Sequence, residues 1–518
     1  MGAILETPSL AKIPTTDELA AIDFFVPPPP ASLFQGYDSV NGYGVSTAVE
    51  GTQVTNGGSS SVFYQVALDT ETLYQALDIS QSVSVGFGPF GSVSEKSDFV
   101  RQLNLTTYSL NIVVHARHVK GVETATAFRL KNDVPPPVGN DQLRSFFRSY
   151  GDAFISSQTI GSEYYAVYTF YAQTREEQNS VTAELKANGI FEFGTVSGDL
   201  QAKLDLVTKK TQVRISFNQN VAGIANPKLP APETLIQYAL DFPGIPIDAP
   251  SILSFGSTGY EHVPGVGSFE PIAHNRTYLV GDRAASGLAD DLAKVVQLDN
   301  QIDWLQAVYR FYGDYSDAKV SEAGKVVWSD IKAINDQLET YINDPTASFK
   351  RPPLPSLELG TPQLQYQIAE SPVHGGDGGD PFYDVDVNTY LQRQTRISSV
   401  QLRSGGYVDA LIVTYIDKDG TRRTANHGGG GGGLSQTLTL LPGQFVTSLR
   451  GRAGQYTDQL RVTISDNRSI GGGGDGGSPY SWGVPAGSVV LGFSGRSGRY
   501  LDQVEAVYAT LQAAKWAH

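Results

Sequence analysis

Hydrophobic and polar positions along this chain follow two different rhythms, and the change between them divides the molecule. Up to about residue 349 the pattern is mixed. Leu292, Val295, Val296, Ile302, Leu305, Val308 and Tyr309 fall at helical spacing and predict a long helical stretch over 287–341. Elsewhere in the same region apolar and polar residues alternate with period two, as strands require. Beyond residue 370 helical spacing stops. Short β runs such as 411–415 and 460–464 are separated by glycine-rich turns, which predicts a sandwich, barrel or prism. Between the two regions, Pro352, Pro353, Pro355 and Pro362 interrupt a stretch read as having no hydrophobic period, so 350–370 is expected to be a linker. The expected organisation is an N-terminal extension over 1–30, an α+β domain over 31–349, the linker, and an all-β domain over 371–518.

The all-β region repeats with a period of roughly 45 residues. Gly405-Gly406-Tyr407-Val408-Asp409, Gly454-Gln455-Tyr456-Thr457-Asp458 and Gly498-Arg499-Tyr500-Leu501-Asp502 all read G-x-Y-x-D, and each leads into a β run. Each has a glycine-rich companion: Gly375-Gly376-Asp377-Gly378-Gly379, the six glycines 428–433, and Gly473-Gly474-Asp475-Gly476-Gly477. This composition suits a sugar. Vicinal hydroxyls need a carboxylate that accepts two O–H bonds, glycines let the backbone approach the ring, and tyrosine offers an apolar face to its C–H surface. The bland alternative is that the glycines make turns and the aspartates cap them; three copies of both halves speak against it.

The stretch from His374 through Asp384 and the closing Gly495-Arg496-Ser497-Gly498-Arg499-Tyr500-Leu501-Asp502 resemble the first strand and last sugar loop of jacalin-related lectins. The resemblance covers about 371–511. It implies a three-sheet β-prism that binds mannose or glucose where an aspartate loop meets a glycine loop. It pairs Gly379 with Asp502, Gly432 or Gly433 with Asp409, and Gly477 with Asp458, with Tyr500, Tyr407 and Tyr456 beside them. Mannose-type members often carry an acidic residue three positions before the final aspartate; here Gly406, Gln455 and Arg499 stand there.

In the first region, Tyr150-Gly151-Asp152-Ala153-Phe154 followed by Gly161-Ser162 resembles the signature of the membrane attack complex/perforin family, departing from it at Asp152, Ala153 and the second glycine. That resemblance implies a bent central sheet flanked by helical clusters, with Gly151 and Gly161 as hinge positions. It also implies two segments that are helical in the soluble protein and become membrane hairpins. Residues 172–206 fit one of them: Val181, Ala183 and Leu185 alternate with Thr182, Glu184 and Lys186, one row for lipid and one for water. Residues 77–103, with Val83, Val85 and Phe87, fit the other.

Composition removes several alternatives. A net charge of -15 across 518 residues disfavours nucleic-acid binding. With no cysteine there is no disulfide or thiolate chemistry. No apolar run approaches the ~18 residues of a transmembrane helix, so insertion would use strands. The histidines show no metal-ligand spacing, His115 and His118 should face opposite sides of a strand, and no nucleophile elbow or phosphate loop is present. No cofactor, metal or enzymatic activity is expected. Asn104 and Asn275 begin glycosylation sequons. Residues 1–21 lack the basic and apolar segments of a secretory signal.

Together the two resemblances imply a pore-forming toxin or defence effector, secreted as a soluble protein, that docks on cell-surface glycans, assembles into a ring and inserts hairpins into the target-cell membrane. The alternative is a non-lytic carbohydrate-binding or adhesion lectin whose first domain makes other contacts, and a lectin-targeted glycosidase is a more distant one.

Overall fold

A computed structural model describes residues 32–517, apart from 41, 69–71, 74–75, 78–98, 101–102, 104, 106–107, 173–174, 212, 214, 282–285, 314, 386–389, 392 and 419. Val83, Val85, Phe87 and Asn104 lie outside the described residues.

The first region is built on two long antiparallel strands, β5 (Ser109–Leu130) and β6 (Ala153–Tyr171). Each is paired on its outer side by two strands in series. Along β5 run β3 (Val49–Asn56) and β4 (Ser59–Ala67); along β6 run β8 (Ile215–Ala222) and β9 (Ser251–Gly259). Short strands β1 (Gly36–Asp38), β2 (Tyr43–Val45) and β7 (Phe193–Thr195) finish the edges. The two halves of the sheet meet at a point of close backbone approach. The β5–β6 register slips between Val119 and Gly121, opposite Gly161 and Ile160, and such a bulge bends a strand. A Cβ on Gly161 would collide with the carbonyl of His118, and one on Gly223 with that of Gly161. Gly161 therefore occupies the expected position inside a central strand. Gly151 does not: it ends α1 (Gly139–Tyr150) at φ +77°, before β6 begins, where a side chain would strike the Tyr37 carbonyl.

Above the register slip both faces of the sheet are covered, which is why β6 is buried continuously from Gly161 to Tyr171. On one face Ile112, Val114, Tyr164 and Tyr168 pack under α2 (Arg175–Ala187), α3 (Leu200–Thr211) and α4 (Leu235–Asp241). On the other, Val113, Tyr165 and Val167 meet Leu73, Leu77, Val100 and Leu103. Residues 175–187 are thus helical in this state, and the period-two rows dissolve. Val181 and Leu185, one turn apart, are buried, while Ala183 points outward. His115 and His118 do face opposite ways: His115 is fully buried with Nε2 3.0 Å from Glu163 Oε2. The Asn275 side chain is buried too, donating to the carbonyls of Pro345 and Ala347 at 2.8 and 2.7 Å, a place no glycan could occupy.

The expected long helix is two helices. After α5 (Glu270–Val280), α6 (Leu288–Phe311) and α7 (Ala318–Asn343) are separated by a turn in which Asp317 accepts from the amides of Lys319 and Val320 as N-cap. On α6, Asp299 sits one turn before Asp303, and burial together with that like charge pushes its pKa up to about 6. The folded value lies above the unfolded one, so the stability linked to its proton is complete below about pH 4 and is lost as pH rises through 6. Asp299→Asn is expected to raise the melting temperature at pH 7.5 by a few degrees, about 1 kcal/mol after discounting for solvent screening, and to change nothing at pH 4. Thermal melts at the two pH values check both halves of this expectation.

The linker reading fails for its second half. Thr361–Glu370 is a strand, β10, paired along its length with β23 (Leu501–Ala517). Leu364, Tyr366 and Ile368 alternate with Gln363, Gln365 and Gln367, a period-two pattern that the neighbouring prolines mask, and they pack on the all-β core. Ser356, in the preceding turn, donates its amide to Asp330 of α7 at 2.8 Å.

The all-β region consists of three antiparallel sheets. The first holds β10, β11 (His374–Gly375), β12 (Asp380–Tyr383), β22 (Ser488–Ser497) and β23. The second holds β13 (Arg396–Ser404), β14 (Val408–Ile416), β15 (Arg422–Gly428), β16 (Gly433–Leu434) and β17 (Leu438–Thr439). The third holds β18 (Val446–Ala453), β19 (Thr457–Ile464), β20 (Ser469–Gly473) and β21 (Ser478–Gly483). Their inner faces share one core, including Leu402, Leu411, Leu449, Leu460, Phe493 and Val504, as a β-prism requires.

That core continues into α6 and α7. The Tyr312 hydroxyl lies within hydrogen-bond reach of the carbonyls of Tyr390 (3.0 Å) and Thr395 (2.7 Å), Tyr309 donates to that of Gln512 (3.0 Å), and the amide of Ala514 donates to Asp317 (2.7 Å). Buried Tyr312 is held well above the usual phenol pKa by its burial. The β-prism is docked on the helices.

Candidate functional site

The hairpins β13–β14, β18–β19 and β22–β23 turn at the same end of the prism, and their turns are the three G-x-Y-x-D repeats. Each turn closes by the same bond: Gly405, Gly454 and Gly498 donate their amides to the carbonyls of Tyr407, Tyr456 and Tyr500 at 2.9, 3.0 and 2.9 Å. The aspartate two residues after each tyrosine points inward, so Asp409, Asp458 and Asp502 are only 7, 6 and 5% exposed.

Each aspartate meets its glycine loop. The amides of Gly429, Gly474 and Gly376 donate to the backbone carbonyls of Asp409, Asp458 and Asp502 at 2.9, 2.8 and 2.9 Å. The last glycine of each loop, Gly432, Gly477 and Gly379, has φ of +60, +61 and +64°, and a Cβ there would overlap Oδ2 of the partner aspartate. The glycine before it, Gly431, Gly476 or Gly378, is in the same position towards Oδ1. Glycine is required at both places, by torsion at one and by space at both. Of the two glycines expected beside Asp409, the structure selects Gly432. Gly433 lies one residue on, paired with Ser404 in the strand, and leaves the carboxylate to its neighbour.

Three arginines that the repeat pattern contained, and that were not singled out, complete the loops. Arg403, Arg452 and Arg496 each stand two residues before the turn glycine. Arg452 donates to the carbonyls of Gly476 (2.9 Å) and Gly477 (2.7 Å), Arg496 to those of Gly378 (3.0 Å) and Gly379 (2.7 Å), and Arg403 more loosely to those of Gly430 and Gly432. The guanidinium fork grips two carbonyls of a loop that has no side chains of its own to hold it. The signal was R-x-G-x-Y-x-D, two positions wider than the motif read.

The tyrosines converge. The rings of Tyr407, Tyr456 and Tyr500 lie 5.4, 5.6 and 5.3 Å apart pairwise, a closed triangle where the three turns meet. They brace one another and keep part of each ring at the surface; Tyr407 is 40% exposed. The loops interlock around this triangle. A Cβ on Gly474 would meet the Gly406 carbonyl, one on Gly376 that of Gln455, and one on Gly429 that of Arg499, so every glycine loop rests on the next repeat's turn.

Burial pushes the Asp502 carboxyl above its ordinary pKa, against the opposing pull of the Gly498 amide and Arg496. Its Oδ2 is buried with no hydrogen-bond partner among the described residues. A buried, unpaired carboxylate oxygen is costly unless a donor arrives. Among the described residues, no group of three or more potential metal ligands is present.

The sequence profile of the jacalin-like lectin domain matches residues 371–507. Griffithsin from Griffithsia sp. is 33% identical over 75 residues, 14% of this chain and 45% of griffithsin. Horcolin from Hordeum vulgare is 32% identical over 88 residues, 17% of this chain and 56% of horcolin. The chain thus spans about half the length of these relatives. Among solved structures, Malaysian banana lectin is 25% identical, covering 28% of this chain and 99% of its own with a TM-score of 0.24. AcmJRL, a mannose binding jacalin related lectin from Ananas comosus, is 26% identical, covering 27% and 96%, with the same score. Residues 371–507 of this protein are a jacalin-like lectin domain.

Proposed function

We propose that this protein binds carbohydrate of the mannose or glucose type at the three aspartate–glycine loops, and that its first region then inserts strands into the glycan-bearing membrane as part of a ring. The observation that carries the carbohydrate half is the unpaired Asp502 Oδ2 under a loop that admits only glycine. A pair of sugar hydroxyls supplies the missing donors, and backbone amides complete the set.

The carbohydrate half has a pH signature. The site needs the ionised carboxylate to accept two O–H bonds, and burial holds the Asp502 pKa above its ordinary value. Affinity at this loop is therefore full above that pKa and is lost as pH falls through it, starting above the usual carboxylate range. Titrating methyl α-mannoside against the Tyr500 ring resonances from pH 7.5 down to pH 4 should show the loss; pH-independent affinity would argue against a carboxylate acceptor.

The pore-forming half is supported by layout. One helix-bearing segment leaves the sheet after β4 and another after β6, one on each face, and both return to strands of the same sheet. Dye release from liposomes bearing mannosylated lipid tests it. Release that free mannoside inhibits supports both halves; binding without release favours the non-lytic lectin.

A further inference from the structure

At the end of the prism away from the tyrosine triangle, a cavity of about 450 Å³ opens where β12 ends and β14 turns into β15. Cationic side chains outnumber the carboxylates there. Asp384 is fully engaged: His427 Nε2 lies 2.8 Å from Oδ1, and the Tyr415 hydroxyl donates to Oδ2. Asp417 accepts from Thr395 Oγ1 at 2.7 Å, and Arg393 lies 3.9 Å from its other oxygen. Arg423 donates to the Asp384 carbonyl at 2.8 Å and lies over the Tyr415 ring at 4.6 Å. Arg422 has no ion-pair or hydrogen-bond partner among the described residues. Its charge, after burial, helps to lower the pKa of nearby Arg396. Three arginines, Arg393, Arg422 and Arg423, thus line the cavity beside two spoken-for carboxylates in a protein whose net charge is -15.

An isolated surface arginine is ordinarily content with water. Here the guanidinium groups are gathered in a concave site with like-charged neighbours, an arrangement that an oxyanion relieves by bidentate bonding. The volume is that of a small-molecule pocket and far exceeds a bare sulfate or phosphate. The remaining lining suits a ring: Tyr383, half exposed, offers an aromatic face.

We infer that this cavity binds an acidic saccharide, its carboxylate or sulfate held by Arg422 and Arg393 and its ring laid against Tyr383. The site is independent of the aspartate loops, so one chain would read a neutral sugar at one end of the prism and a charged one at the other. Its lining residues Tyr390 and Thr395 also hold the Tyr312 hydroxyl, which places the occupant beside the docking surface with the helices.

The test uses the full chain, with methyl glucuronide and galactose 6-sulfate as probes and methyl glucoside and inorganic sulfate as controls, read by calorimetry. At least one acidic sugar should bind, unaffected by Asp409→Ala, Asp458→Ala and Asp502→Ala together. Affinity should fall at least tenfold in Arg422→Gln, recover in part in Arg422→Lys, and exceed that for inorganic sulfate at least tenfold. Arg422 is exposed and partnerless, so its replacement leaves the fold intact, and methyl α-mannoside binding in the same variant reads the aspartate loops separately. Loss of acidic-sugar binding in the triple aspartate variant, no effect of Arg422→Gln, or inorganic sulfate binding as tightly as the sugars would each overturn the assignment.

Discussion

Replacing Asp409, Asp458 and Asp502 together by alanine is expected to abolish binding to a mannose-rich glycan array while the thermal melt stays cooperative. The single variants should each lose far less. On the proposed reading each loop alone holds a sugar weakly, and joint engagement of a branched glycan raises avidity by about 10²- to 10⁴-fold through effective concentration. The interlocked turns make this multivalency geometric: the three tyrosines lie within 5.6 Å of one another by ring centre, so the sites around them are fixed in mutual distance. The fold should survive because the loops are held by backbone bonds and by Arg403, Arg452 and Arg496, none of which needs the carboxylates. Undiminished array binding by the triple variant would remove the basis for placing the sugar at these loops.

Ala183 offers the sharpest test of insertion. In the folded protein it lies on the outer face of α2, whereas Val181 and Leu185 are buried, so a charge at either neighbour would disrupt packing before any membrane was met. In an inserted strand all three share the lipid row. Ala183→Lys should therefore leave the solution melt unchanged yet cost ~2 to 4 kcal/mol per protomer near the bilayer midplane, enough to stop dye release. Ala187→Lys, also outward on the helix and on the same row but four residues further along, should be milder if it comes to rest nearer the interface. Lysine placed instead at Thr182, on the water row, should release dye normally. The absence of cysteine lets single cysteines at 181–189 be labelled without background, and their emission should alternate with period two on liposomes. Full release by Ala183→Lys, or a helical period in the labels, would leave the non-lytic lectin as the better account.

Much of the prism was legible because its constraints are local. A left-handed glycine, a turn tyrosine and an inward aspartate each need one residue type at one place, and threefold repetition sets them above chance. The arginine clamp was equally local and was missed only because the motif was read from glycine onward. The pairing of glycine with aspartate came through the resemblance, and geometry was needed to choose Gly432 over Gly433, since six consecutive glycines carry no register of their own. In the first region the outcome depends on distant partners. Period two at 181–189 gave way to a helix because Val181 and Leu185 also satisfy an i, i+4 spacing, and the apolar sheet beneath rewards that one. Gly151 was taken for a strand hinge because its role as a helix end beside the Tyr37 carbonyl is visible only in three dimensions. β10 was lost for a simpler reason: Pro362 and the prolines before it outweighed a clean alternation of leucine, tyrosine and isoleucine with glutamine.

The docking of the prism on α6 and α7 makes the two regions one mechanical piece. The aspartate–glycine loops are at one end of strands eight to ten residues long, and the Tyr312 and Asp317 bonds are at the other. At about 3.4 Å per residue, the loops stand roughly 30 Å from that joint. On the proposed reading, a glycan gripped at the tip would be held at a set reach from the helices, like an object at the end of a strut and not on a tether. Torque applied at the tip passes directly to α6, and any change of tilt between glycan-bearing surface and central sheet must either rotate the whole molecule or break the joint.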